Sequence, residues 1–545
     1  MEAQRQTRAT LVFLSERGFV SAQLAFVGMA AIACGLLDAT LITTARLGAS
    51  GAFQYVPPRV WIVAPLCWLV TALVIALPCY AISRRRGAVM TVIAMIALCV
   101  GGRVYNAPLR WVVVGVVVIA IAAVIVWNIA PRRIAVVIAA LVVLLAIAVE
   151  RRGLPRRTVN HSVGQAPPLH GSPDVIVVFV DTVAFDARFF TRGVVFDRAY
   201  TTAPWTLPAH FSAVTGTPAH RLDVGFDHQR CENCGATLAE RFRRRGYRTA
   251  AVISNTFLNR GTGFDRGFDT YEHAENALDV CRTVPGALLD RSWAWFGASV
   301  CNWSASEVTR RAIAHVDRDD RPLFLTLNYM DAHDPYYVEG DCAQPANAHR
   351  IYRDVAPSAY RQRYYASHVA AIQCIEKRLD ELRGRGAVLA IVGDHGEQFG
   401  EHGLVRHGNS LYSQLLHVPF TIEAPGLAPR HITEPISIAM LPQLLFDVID
   451  HRRIDTPQPR DVFASLVPAR STGASEQWSV IRGSWHFIQS QKGNALYDLA
   501  SDPAELRNLA ATSPIARDLA IAIDREKATR SDHRASDFRS LGYVH

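Results

Sequence analysis

Val175-Ile176-Val177-Val178-Phe179-Val180-Asp181 is a short, unbroken apolar run closed by a carboxylate. With no polar alternation it predicts a strand buried on both faces, as in a parallel sheet covered by helices. Comparable strand runs are read at Thr249–Ser254, Leu323–Asn328, Ala387–Val392 and Pro419–Glu423. Amphipathic stretches between them predict helices at Thr237–Arg245, Ser306–Asp317 and Tyr360–Arg383. Buried strands alternating with helices make an α/β domain. Ligands in such sheets bind beyond the carboxyl ends of the strands. Asp181 follows the first strand directly, and Asp394-His395 follow Ala387–Val392 after one glycine, so both groups are expected on one edge.

Two segments then suggest a single site. In Pro204-Trp205-Thr206-Leu207-Pro208-Ala209-His210, the Thr206 hydroxyl precedes a helix expected to start near Pro208 or Ala209, where proline is tolerated. A helix N-terminus favours a bound anion and a developing alkoxide. In Gly393-Asp394-His395-Gly396-Glu397, the flanking glycines permit tight turns and close backbone approach. Asp181, Asp394 and His395 form a hard, mixed oxygen and nitrogen ligand set for a divalent cation (Zn, Mn, Ca or Mg), with zinc or manganese the better match. Coordination of Thr206 by the same ion would lower its pKa and make it a nucleophile. The competing readings make Asp181 and Thr206 helix caps and His395 a surface residue. His333 and His407 are the candidates to bind the transferring oxygen or serve the leaving group. His210 and Asp331 are weaker candidates, and His220, His402 and His417 read as structural.

Ahead of this domain the chain is of another kind. Half of its 545 residues are hydrophobic, and before about residue 150 they gather into five segments, Ala22–Thr43, Trp61–Ser83, Ala88–Gly101, Trp111–Ala130 and Ile134–Val149. A bilayer core needs about 20 apolar residues per helix. Arg84-Arg85-Arg86, Arg132-Arg133 and the arginines ahead of the first segment place those loops in the cytoplasm, and an odd number of spans puts the rest outside. Arg151, Arg152, Arg156 and Arg157 oppose this, favouring four spans and a cytoplasmic domain as the alternative. The expected division is a membrane domain of about five helices over 1–150, a linker at 151–172, a core at 173–450 and a subdomain at 451–545. The net charge of +9 is spread arginine without an aromatic-interleaved basic stripe, so no nucleic-acid partner is expected. Six cysteines in the soluble part suit an oxidising compartment. Sequential pairing (Cys231–Cys234, Cys281–Cys301, Cys342–Cys374) is one of about fifteen arrangements.

Val180-Asp181-Thr182, Thr206–Gly216, Phe264-Asp265-Arg266-Gly267-Phe268-Asp269, the His333 loop, Gly393–Glu397, His407–Tyr412, Leu496–Glu505 and Leu541-Gly542-Tyr543-Val544 occur in an order that resembles the sulfatase and alkaline phosphatase superfamily. The resemblance implies an α/β alkaline-phosphatase-like (sulfatase) core with a small C-terminal α+β subdomain, here behind a multi-span α-helical membrane domain. It also implies one divalent metal and a covalent intermediate on the nucleophile. A typical sulfatase oxidises a Cys or Ser to formylglycine at the position of Thr206; threonine is no substrate for that modification, so no formylglycine is expected. Thr182 replaces the usual second aspartate. The five-span architecture is similar to lipoteichoic acid synthases and phosphoethanolamine transferases, and the late segments to hydrolytic sulfatases.

The sequence thus reads as a membrane-anchored, metal-dependent enzyme that cleaves or transfers a phosphate or sulfate ester through Thr206 outside the cytoplasm. Phosphoryl chemistry is favoured, with a phospholipid or glycan as substrate or acceptor. The alternatives are a sulfuric ester hydrolase and a non-catalytic membrane sensor or lipid-binding protein of the same fold.

Overall fold

A computed structural model describes residues 27–36, 60–82, 91 and 95 of the first part of the chain. From 172 to 540 it describes all but 227, 232–233, 275–302, 317–320, 335, 337–355, 384, 459 and 468–475. The segments Trp111–Ala130 and Ile134–Val149, nearly all of the 151–172 linker, and Cys281, Cys301 and Cys342 lie outside the described residues. The chain divides into two compact units, one made of 1–48, 56–161 and 276–292, the other of 49–55, 162–275 and 293–545.

In the first unit, helix α1 (Val60–Ile82) buries Ala64, Trp68, Ala72 and Ala76 and exposes Leu66, Val70, Leu73 and Val74. Among the described residues, no helix is long and apolar enough to cross a membrane.

The second unit is built on an eight-stranded sheet. Its strands are Val175–Val180 (β1), Val194–Phe196 (β2), Arg248–Ile253 (β3), Thr270–His273 (β4), Leu323–Tyr329 (β5), Val388–Gly393 (β6), Phe420–Glu423 (β7) and Arg430–Ile432 (β8), in the spatial order β8-β2-β7-β6-β1-β5-β3-β4. Strands β6, β1, β5, β3 and the edge strand β4 are parallel, and β7 joins them antiparallel to β6. The sheet is therefore mostly parallel, as the apolar runs imply.

Why β1 has no polar face is plain from its packing. Val175, Val177 and Phe179 enter a core formed with helices α2 (Thr206–Thr215), α3 (Leu238–Arg244) and α6 (Leu441–His451). Ile176, Val178 and Val180 enter a second core beneath α4 (Ala305–Val316) and α5 (Pro357–Asp380). Each fully buried branched side chain is worth roughly 1.5–3 kcal/mol of transfer free energy, so a polar substitution on either face is disfavoured. Helix α3 begins with a reciprocal cap in which Thr237 accepts from the Glu240 amide and the Glu240 carboxylate accepts from the Thr237 amide.

Beyond α6, an antiparallel sheet of Val462–Leu466 (β9), Gln477–Arg482 (β10), Trp485–Ser490 (β11) and Gly493–Asp498 (β12) packs on helix α7 (Ile515–Ser540) through Trp478, Phe487, Leu519 and Ile523. Cys231 and Cys234 form a disulfide, and Cys374 is also disulfide-bonded.

Candidate active site

The strand register assembles the site. Val180 pairs with Gly393 on one side and Tyr329 on the other, while Ile253 pairs with Asn328. The residues next in sequence (Asp181, Asp394-His395, Ser254-Asn255 and the Met330–Asp334 turn) therefore emerge side by side at one carboxyl edge. Helix α2 brings Thr206 to that edge as its first residue. This corrects the expected start near Pro208. Trp205, extended and without a side-chain cap bond, is the N-cap, and Pro208 fits within the first turn because its missing N–H would lack an intrahelical partner anyway. Thr206 is thus not the helix cap.

Asp181, Asp394 and His395 are fully buried, and one ligand atom from each lies within 4.8 Å of the others. Asp394 Oδ1 accepts from the amides of His395 (2.7 Å) and Thr182 (3.2 Å). Thr182 reaches that position in the left-handed region at φ 59°, which is costly for a β-branched residue and tolerated where a site demands it. The outer oxygens, Asp181 Oδ1 and Asp394 Oδ2, are buried without a hydrogen-bond partner. Nδ1 of His395 donates to the Gly396 carbonyl at 3.0 Å, turning its Nε2 toward Asp394 Oδ2 (3.4 Å) and Asp181 Oδ1 (3.7 Å). Burial, then the neighbouring His407, hold the His395 imidazole well below its usual range and hence neutral. Two unpartnered carboxylate oxygens facing an imidazole lone pair repel one another unless a cation lies among them. The donor set fits a divalent metal.

Around this centre, Thr206 Oγ1 lies 3.4 Å from His395 Nε2. Asn255, absent from the sequence reading, donates from Nδ2 to Asp181 Oδ2 at 2.6 Å and reaches Thr206 Oγ1 at 3.3 Å. Its sequence signal was the one that exposed Asp181, a polar side chain just past the end of a buried strand. His210 packs beneath, its Nδ1 donating to the Thr206 carbonyl at 2.9 Å, and burial pushes it down to about 3. Asp331 instead accepts from the Ala305 amide at the start of α4. His220 pairs with Glu526, His402 stacks on Tyr412, and His417 lies between Phe185 and Tyr200; none of the three joins the cluster.

His333 and His407 meet at the outer side of the site with ring centroids 5.0 Å apart, and His407 lies 4.5 Å from His395. Their surroundings drive them in opposite directions. Burial opposes charge on His333, but Asp181 and Glu397 outweigh it and raise its pKa. Burial and then His333 push His407 down to about 3. The shifts favour a protonated His333 beside a neutral His407. His407 sits between two left-handed residues, Arg406 (φ 66°) and Gly408 (φ 73°). Its loop is tied down by Gly408 N to the Pro204 carbonyl and by Ser413 N to Glu505 of the C-terminal segment, whose other oxygen binds His486. Gly396 is equally constrained, since a Cβ there would lie 1.9 Å from the Gln414 carbonyl oxygen.

The sulfatase family model matches residues 178–450. A choline-sulfatase of Rhizobium meliloti is 23% identical over 432 residues, covering 62% of this chain and 83% of that protein. A Delta 4,5-hexuronate-2-O-sulfatase of Bacteroides thetaiotaomicron is 22% identical over 447 residues, covering 70% and 89%. Among solved structures, a phosphonate monoester hydrolase from Silicibacter pomeroyi superposes with a TM-score of 0.52 at 15% identity over 66% of this chain and 96% of that one, a likeness of fold.

Proposed function

We propose that this chain, which belongs to the sulfatase family, is a metal-dependent sulfuric ester hydrolase with Thr206 as its nucleophile. Family membership makes it a sulfatase-like hydrolase of sulfuryl or phosphoryl esters. The choice of sulfate corrects the leaning of the sequence toward phosphoryl transfer, because the relatives are sulfatases. The observation that carries the site is the convergence of Thr206 with Asp181, Asp394 and His395 at the N-terminus of α2. A divalent ion held by those three residues and Thr206 would polarise an ester oxygen and favour the alkoxide. The chain's own groups do the rest. Asn255 holds Asp181 and the Thr206 hydroxyl in one geometry, the N-terminal turn of α2 would face the anionic group, and His333 would carry the proton for the leaving oxygen.

Phosphoester hydrolysis is the second reading, and Thr206 itself favours it. A threonine ester has no second hydroxyl on the same carbon through which a sulfate could be eliminated, so release needs attack by water. The two separate on 4-nitrophenyl sulfate and 4-nitrophenyl phosphate at equal concentration. The sulfuric ester reading expects kcat/KM at least 10-fold higher for the sulfate, an advantage of about 1.4 kcal/mol in the transition state. A preference of that size for phosphate would reverse the assignment.

For location, we propose a membrane anchor ahead of the catalytic unit. It is supported by the apolar segments of the first 150 residues and by the exposed Leu66, Val70, Leu73 and Val74 stripe of α1. The full chain is expected to sediment with membranes after alkaline carbonate washing; recovery in the wash would remove the anchor.

A further inference from the structure

Hydrolysis through Thr206 needs a second step that the residues assigned so far do not supply, namely the activation of water to release the group from the nucleophile. Glu397 is placed to organise that step. Its carboxylate faces Nδ1 of His407 with both oxygens, at 3.3 and 3.2 Å. The Glu397 side chain is 1% exposed, whereas His407 keeps 19% of its side-chain surface open. The same ring lies against His333 and His395, and so beside the metal and nucleophile cluster. An imidazole bonded through Nδ1 to a carboxylate has its orientation and tautomer fixed, leaving Nε2 for a reactant. Glu397 is too enclosed to meet a substrate, so it acts through His407.

We propose that Glu397 is a positioning residue which holds His407 so that its Nε2 takes a proton from the water that hydrolyses the Thr206 ester. This rests on Thr206 being the nucleophile. The water oxygen bonds to sulfur as the bond from sulfur to Thr206 Oγ1 breaks. One water proton passes to His407 Nε2 and the other stays on the departing hydrogen sulfate. The His407 proton then returns to Oγ1, which restores the hydroxyl and the neutral imidazole. A phosphoryl group would follow the same balance.

The test is rapid-quench kinetics of the full-length metal-loaded protein on 4-nitrophenyl sulfate and 4-nitrophenyl phosphate, with intact-mass analysis, for wild type, Glu397→Ala, Glu397→Gln and His407→Ala. Formation of the first nitrophenol should survive in Glu397→Ala while steady turnover falls about 100-fold, the scale for loss of an oriented base. The group should accumulate as an ester on Thr206. Glu397→Gln, which keeps an acceptor for Nδ1, should fall between, and added imidazole should restore turnover to His407→Ala. A purely structural role would depress both phases together. Equal loss of burst and turnover without an adduct overturns the inference, and the glutamine and His407 variants decide should the alanine variant not fold. Undiminished turnover by Thr206→Ala would overturn the nucleophile along with this step. A Thr206 ester that turns over normally in the Glu397 variants overturns this step alone.

Discussion

Thr206→Ala is expected to lower kcat/KM by about 10⁴-fold or more while leaving the protein folded, because removal of a nucleophile removes the covalent route entirely. The side chain is buried, and among the described residues its hydroxyl meets Asn255 and His395, so its loss should change stability by about 1 kcal/mol or less. Steady-state kinetics with thermal unfolding separates the two effects. Trapped wild-type protein should carry one substrate-derived group on the α2 peptide, and the alanine variant none. Serine retains a hydroxyl and should retain the reaction, so Thr206→Ser is the positive control. Full activity in the alanine variant would leave water as the direct nucleophile and reduce Thr206 to part of the helix N-terminus.

Removal of the cation should have an effect of similar size, with an additional pH signature. Asp394→Asn keeps an acceptor for the Thr182 and His395 amides and loses the charge, so the bound metal measured by elemental analysis should fall with activity. In metal-free wild type, burial and then Asp181 raise the Asp394 pKa well above its ordinary value. A carboxyl with a raised folded-state pKa contributes stability below its unfolded pKa, and that contribution is lost as pH rises through the folded value. The chelated protein should therefore lose stability as the pH rises above the ordinary carboxylate range. Added metal should restore it more strongly at pH 8 than at pH 5. A cation at about 1,000 times its Kd adds roughly 4 kcal/mol, readily seen as a rise in Tm. An equal response at both pH values, or none, would count against the Asp181, Asp394 and His395 set.

Much of this arrangement was legible in the chain because strands buried on both faces admit little but branched and aromatic residues, and because a carboxylate at the end of such a strand stands out. Asp181, Asp394 and His395 were expected on one edge on that basis, and the strand register brings them together there. The start of α2 was misplaced by two residues, since Pro208 signals a first turn without fixing its first residue. Asn255 was missed although it occupies the same kind of position as Asp181; amides are common at strand ends, and only the register beside Asn328 brings it to Thr206. Glu397 was in plain view within the Gly393–Glu397 segment, yet its partner lies ten residues away across a segment with four left-handed residues, Gly400, His402, Gly403 and Arg406. Glu505 is more distant still from the loop it braces. Local pattern carries no information about such pairings, because they depend on how separate elements close on one another.

That last contact has a consequence for the protein during its synthesis. Every group proposed to touch the ester is contained in the chain by residue 407, but the brace on the following loop, Glu505 with His486, comes almost a hundred residues later. A ribosome that has extruded all the reactive residues has not yet supplied the part that fixes them. A product terminated ahead of Glu505 would carry every one of those residues without the carboxylate that holds the Ser413 amide.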